Sequence, residues 1–128
     1  MLFSDKELNF DIPKVMGIIN LTPDSFSDGG RFISKKSLKV DRSKVLKEIE
    51  AMEKSGASFI DIGAESTRPN SVRISVQEEM DRLMPILEEI KNIRAVVSID
   101  SSKGEVIFEA IKKGVNLIND INSLEDKK

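Results

Sequence analysis

An α/β fold built on a parallel sheet, in the order β-α-β-α-β-α-β, is what this sequence predicts, and three observations carry it. Four short apolar runs, residues 15–20, 58–62, 95–99 and 115–118, have the length and composition of buried strands. Between them lie stretches with apolar residues at helical spacing, able to carry the chain back across a sheet. A strand, a crossing helix and the next strand of one sheet join by a right-handed connection almost without exception, so the strands run parallel.

Each element has its own signals. Residues 1–13 are of mixed polarity and stop at Pro13, which suits an extended lead-in or a short hairpin. The first strand ends in Asn20. Residues 21–30, Leu-Thr-Pro-Asp-Ser-Phe-Ser-Asp-Gly-Gly, mark a long loop of the kind that closes over active sites, with Gly29-Gly30 as its hinge. Asp41 is placed to cap the first helix, whose stripe is Val45, Leu46, Ile49 and Met52; Gly56 stops it. The second strand spills into a small polar loop carrying Glu65, Ser66, Thr67 and Arg68. Ser75-Val-Gln-Glu78 is a capping box for the second helix, with Met80, Leu83, Met84, Leu87 and Ile90 on one face and Pro85 expected to kink it. The third strand ends at Asp100. Ser102-Lys-Gly-Glu105 has the pattern of another capping box, followed by Val106, Ile107, Ala110 and Ile111, with Gly114 closing the helix. The fourth strand ends in Asn119-Asp120.

Composition narrows the chemistry. The 128 residues amount to one domain, with net charge −2 and neither cysteine nor histidine. That balance offers no basic field for nucleic acid and no polybasic membrane patch. A general base has to be a carboxylate, a lysine or a group supplied from elsewhere. A metal site has to be oxygen-rich, which favours Mg²⁺ over Zn²⁺. The charged amino terminus and the lack of a long apolar run point to a soluble, cytoplasmic protein.

The strand ends carry the functional signal. Asn20, the 61–68 region, Asp100 and Asn119 all fall where an apolar run stops, and parallel sheets place their chemistry at that end. A turn or cap role accounts for any one of them; four in four strands make a convergent polar site. Alternation puts Ser98 and Val96 on the face of Asp100, Leu117 with Asn119, and Ile18 and Met16 with Asn20. A carboxylate beside a carboxamide can read a flat heterocycle that presents N–H donors and ring-nitrogen acceptors. Asn20 offers a neutral oxygen for Mg²⁺ between phosphates, and Arg68 can clamp a phosphate through two parallel hydrogen bonds. Lys103 reads as a solvated residue of the first helical turn. Asp61 fits a supporting group or simply a buried partner, and is left unassigned.

Two long stretches go further. Met16-Gly-Ile-Ile-Asn-Leu-Thr-Pro-Asp-Ser-Phe-Ser-Asp-Gly-Gly30 resembles the first signature of the dihydropteroate synthase family, and Gly56-Ala-Ser-Phe-Ile-Asp-Ile-Gly-Ala-Glu-Ser-Thr-Arg-Pro69 its second. Ser98-Ile-Asp-Ser-Ser-Lys103 and Ile118-Asn-Asp120 are similar to its third- and fourth-strand motifs. The resemblance implies a (β/α)₈ barrel of roughly 250 residues, of which residues 1–128 supply about the amino-terminal half of one pterin-binding domain. It implies a transferase of folate biosynthesis, a family targeted by sulfonamides, that joins 6-hydroxymethyl-7,8-dihydropterin pyrophosphate to 4-aminobenzoate. The products are 7,8-dihydropteroate and pyrophosphate.

Carried over by position, Asp100 and Asn119 hold the pterin and Arg68 contacts the phosphates, these three being the catalytic set. Asn20 sits on the pyrophosphate–Mg²⁺ side as a metal ligand, with Mg²⁺ the implied cofactor. Ser66, Thr67 and Phe26 belong to loops that close over aminobenzoate. Catalysis in the family rests on charge stabilisation and ordering around a pterin cation more than on a general base. Ala64 and Asn70 stand where the family usually has glycine, and Ser101 replaces its usual threonine. The remaining half of such a barrel holds a further aspartate, a lysine, and a late arginine and histidine, so this chain alone is expected to be inactive. Open sheet edges and an uncovered apolar face imply a homodimer. Two other readings stay open: a pterin-binding methyltransferase domain, which lacks the phosphate loop, and a non-catalytic half-barrel assembly module.

Overall fold

The computed structural model describes residues 1–23, 32–33, 39–67 and 69–121. Its elements are β1 (Leu2–Phe3), β2 (Lys6–Glu7), β3 (Val15–Asn20), α1 (Arg42–Lys54), β4 (Ala57–Gly63), α2 (Val76–Leu87), a 3-10 turn (Ile90–Asn92), β5 (Val96–Asp100), α3 (Gly104–Lys113) and β6 (Leu117–Asn119). β3, β4, β5 and β6 form one parallel sheet in sequence order, and β1 and β2 a small antiparallel hairpin.

Alternation divides the parallel sheet into two unlike faces. Ile19, Ile60, Ile62, Val97 and Ile99 are wholly buried against Val45 and Ile49 of α1, Leu83, Ile86 and Leu87 of α2, and Val106 and Ala110 of α3. Burial of each such side chain is worth about 1.5–3 kcal/mol, so this layer holds the three β/α units together. Gly17 lets α1 close on β3, since a Cβ there would meet Met52 Sδ at 2.6 Å. The opposite face carries Met16 and Ile18, which are 41% and 60% exposed. Its lower end is closed by the hairpin and the residues after it: Phe3 meets Phe59 edge to face and Phe10 lies tilted against it, with ring centroids 5.3 and 6.1 Å away. Lys6 Nζ donates to the carbonyls of Ile93 and Ala95 and to Asn116 Oδ1, at 3.0, 2.6 and 3.3 Å.

Most helix signals act as the sequence implies. Asp41 accepts from the Lys44 amide and Ser75 from the Glu78 amide. Gly114 ends α3 at φ 100, a left-handed conformation that an L side chain resists. α2 runs through Pro85 to Leu87, and its buried stripe is turned from the expected one. Glu79, Arg82, Leu83, Ile86 and Leu87 are buried while Met80 and Met84 are only partly so. The cause is polar: both charged residues find partners at the sheet's end. The capping box at Ser102 does not form. The Ser101 hydroxyl takes the Lys103 amide at 3.2 Å, and the helix starts at Gly104 behind Lys103. Ile111, expected on the buried stripe, is 55% exposed. The last strand begins at Leu117, because Asn116 Oδ1 accepts the Val97 amide at 3.0 Å and ends the approach from α3. Among the described residues no helix is long and apolar enough to cross a membrane. The long loop's expected hinge, Gly29-Gly30, lies outside the described residues.

Two substitutions check this account of the helix ends. Gly114→Ala and Ser75→Ala should each cost about 1 kcal/mol in urea unfolding; unchanged midpoints would contradict the assigned caps.

Candidate functional site

Strand register assembles the polar ends. Asn20 is level with Gly63, Gly63 with Asp100, and Asp100 with Asn119, so one rung of the sheet carries all three side chains. Gly63 leaves the gap in that rung: a Cβ there would stand 3.5 Å from Asp100 Cβ and 3.6 Å from Asp100 Oδ2. The next rung down on the same face runs Ile18, Asp61, Ser98 and Leu117. Asn20 and Asn119 are exposed, Asp100 is half-buried, and Asp61 and Ser98 are buried. Asn119 Nδ2 donates to Asp61 Oδ2 at 3.4 Å. Asp61 Oδ1 and Ser98 Oγ are buried without a partner among the described residues. Buried polar atoms are nearly always satisfied, so two orphans side by side mark a place where a polar ligand or water completes the structure.

Electrostatics singles out Asp100. Burial, and then the negative charges of Asp61, Glu79 and Asp120, push its pKa up to about 6. Asp100 therefore favours the fold below its ordinary pKa, and that contribution is lost as pH rises through about 6. At pH 7 it is mostly an ionised acceptor with an unusual affinity for a donated proton or N–H group.

The loop after β4 forms the adjoining wall. A cavity of about 260 Å³ is lined by Ser66, Thr67, Ser71, Arg73, Asp100 and Ser101, among others. The structure therefore places Ser66 and Thr67 on the same cavity as Asp100. Arg68 and Phe26 lie outside the described residues. Arg73, which no sequence motif singles out, adds a guanidinium to this hydroxyl-rich wall, a combination suited to an anion. Two helices hold the loop's stem. Arg82 Nη1 donates to the Ala64 carbonyl at 2.8 Å, and Arg82 Nη2 pairs with Glu78 at 2.7 Å. Lys103 Nζ contacts Glu65 Oε2 at 2.9 Å and Glu79 Oε2 at 2.7 Å. Lys103 is thus no solvated first-turn residue: its side chain is 21% exposed, and it neutralises a glutamate that is 1% exposed. Burial alone would lower its pKa; the two carboxylates outweigh that and raise it.

The sequence pattern of the family described as "Pterin binding enzyme" matches residues 16–128. A dihydropteroate synthase of Haemophilus influenzae is 45% identical over 124 residues, which are 96% of this chain and 42% of that protein. The mitochondrial folate synthesis bifunctional protein of Pisum sativum is 48% identical over 113 residues, 85% of this chain and 21% of that one. Among solved structures, the Yersinia pestis dihydropteroate synthase in a sulfonamide drug complex superposes with a TM-score of 0.86 at 41% identity. It covers 98% of this chain and 44% of its own. The Coxiella burnetii dihydropteroate synthase in complex with pteroic acid gives a TM-score of 0.78 at 36% identity, covering 97% and 41%. This chain spans less than half the length of these relatives. Its parallel sheet and alternating helices correspond to the amino-terminal part of their (β/α)₈ barrel.

Carboxyl-detected NMR should place the Asp100 titration at about 6. Asp61→Asn should move it part of the way back toward the ordinary 3.8, because it removes the most strongly repelling charge and leaves burial in place. A titration near 3.8 in the unaltered protein would refute this picture of the site.

Proposed function

The chain belongs to the pterin-binding enzyme family, and on that footing we propose that it supplies the first half of a dihydropteroate synthase. The single observation that carries the reading is the shared rung of Asp100 and Asn119 with the orphaned acceptor of Asp61 beneath it. A pterin ring offers adjacent amino and ring N–H donors that two carboxylates can accept, and a ring nitrogen or carbonyl for the Asn119 amide. Ser66 and Thr67, on the wall beside Asp100, then face the aminobenzoate side, with Phe26 from the preceding loop. Arg68 would take the pyrophosphate.

In the condensation, the bond between the pterin methylene carbon and the pyrophosphate oxygen breaks, and pyrophosphate leaves with the electron pair. The amine nitrogen of 4-aminobenzoate bonds to that carbon and releases a proton. Asp100 and Asp61 stabilise the positive charge that spreads into the pterin as the leaving group departs. Asn119 and the loop hydroxyls fix both partners for in-line approach. Asn20, exposed at the end of β3, would hold Mg²⁺ through its neutral amide oxygen, a donor suited to that hard cation. Among the described residues no three carboxylates gather into a site of their own. Mg²⁺ held there would neutralise charge on the departing pyrophosphate.

The exposed Met16 and Ile18 support self-association, and the expected form is a cytoplasmic homodimer.

Calorimetry with 6-hydroxymethyl-7,8-dihydropterin pyrophosphate tests the site directly. Asp100→Ala and Asn119→Ala should each weaken binding by about tenfold or more, and Arg68→Ala should weaken inorganic pyrophosphate more than the pterin. Co-expression with the second half of a relative should restore dihydropteroate formation; a reassembled barrel that binds neither substrate would sink the reading.

A further inference from the structure

Helix α2 and the residue that precedes α3 each send one cation to the same short segment, and that segment is the base of the loop after β4. Arg82, 5% exposed, holds the Ala64 carbonyl, and the Lys103 ammonium holds the Glu65 carboxylate. Glu65 Oε2 also accepts the Ile74 amide at 2.9 Å, so one carboxylate closes both ends of the segment between them. Inside it, the Ser71 hydroxyl donates to the Ser66 carbonyl at 2.8 Å. Lys103 is held in turn by Glu79, which α2 buries to 1% exposure. A glutamate placed that deep with one lysine as its ion-pair partner is costly unless the pair does something for the fold or the site.

We propose that Lys103 is a positioning residue. It ties Glu65 to the buried Glu79, so that Ser66 and Thr67 are presented to the cavity beside Asp100 from a fixed base. The consequence for ligands rests on the synthase reading only in taking Ser66 and Thr67 as substrate contacts; the mechanical claim does not depend on it. The groups facing the Lys103 ammonium are Glu65 from the loop and Glu79 from α2, and the positive charge of Arg73 also acts on Glu65. Burial would raise the pKa of Glu65. The Lys103 hydrogen bond, the Ile74 amide and the charges of Lys103 and Arg73 instead hold it below its ordinary value. The tie is therefore present above the usual carboxylate range and lost as pH falls through the lowered pKa.

Lys103→Met and Glu65→Gln separate the claim from general stability. Both should speed amide exchange at Ile74 and across residues 65–74 by about tenfold, the loss of one charge-assisted hydrogen bond. Amides of β5 and α1 should be unaffected. Glu65→Gln keeps the Lys103–Glu79 pair, so it reports on the loop tie even if Lys103→Met fails to fold. In Lys103→Met the Glu65 carboxyl should titrate higher, toward its ordinary value, and Lys103→Arg should restore both exchange and titration in part. Unchanged exchange at Ile74 in Glu65→Gln, or uniformly faster exchange throughout the protein, would overturn the proposal. Binding of inorganic pyrophosphate is the separate arm. If the unaltered chain does not bind it, the synthase reading suffers, while the exchange data still decide the role of Lys103.

Discussion

Everything at the functional end depends on parallel pairing in an unbroken register from β3 to β6 along the sheet's upper rungs. Because neighbouring strands advance together, Asn20, Gly63, Asp100 and Asn119 fall on one level although up to 99 residues separate them in the chain, from position 20 to position 119. A slip of one residue in any strand would turn its polar end toward the helices and expose an isoleucine in its place. The buried isoleucines and valines of the outer face are what forbid that slip. The layer that stabilises the fold therefore also sets the alignment of the site, although none of its side chains faces the cavity.

The site that results is rich in negative charge on one side and in hydroxyls and cations on the other. Burial first, and then the negative charges of Asp61, Glu79 and Asp120, raise the pKa of Asp100. Lys103, Arg73 and Arg82 stand along the loop stem opposite. A ligand that is cationic or donor-rich at one end and anionic at the other matches such a gradient. A pterin joined to a pyrophosphate has that polarity.

How much of this the sequence discloses varies with the range of the interaction. β3 runs over the residues expected from its apolar run, and Asp41, Ser75 and Gly114 act as caps, because strand length and capping are local chemistry. The polar strand ends were legible too, since the rule that places them depends only on where an apolar run stops. Glu79 and Lys103 were not, and the reason is physical. They meet across 24 positions of chain, and each taken alone looks like an ordinary charged residue near a helix start. Even so, Glu79 sits four residues before Leu83 and seven before Ile86, on the stripe that α2 buries. A charged residue at that phase is the one local hint that a partner was waiting. Asp61 hid in the same way: within an apolar strand its acid group says only that something must answer it.

The hairpin of β1 and β2 stands at the opposite end of the sheet from the chemistry. Met1 itself is bound there, its ammonium donating to the Leu8 carbonyl at 2.8 Å, and Lys6 reaches up to the carbonyls that precede β5. A foot of this kind divides the molecule's tolerances lengthwise. Residues such as Phe3, Lys6 and Phe10 govern how firmly the strands start in line, while Asp61, Asp100 and Asn119 govern what is recognised when they finish. Variation can accumulate at one end with little trespass on the other, so durability and selectivity are separately adjustable in a chain of 128 residues.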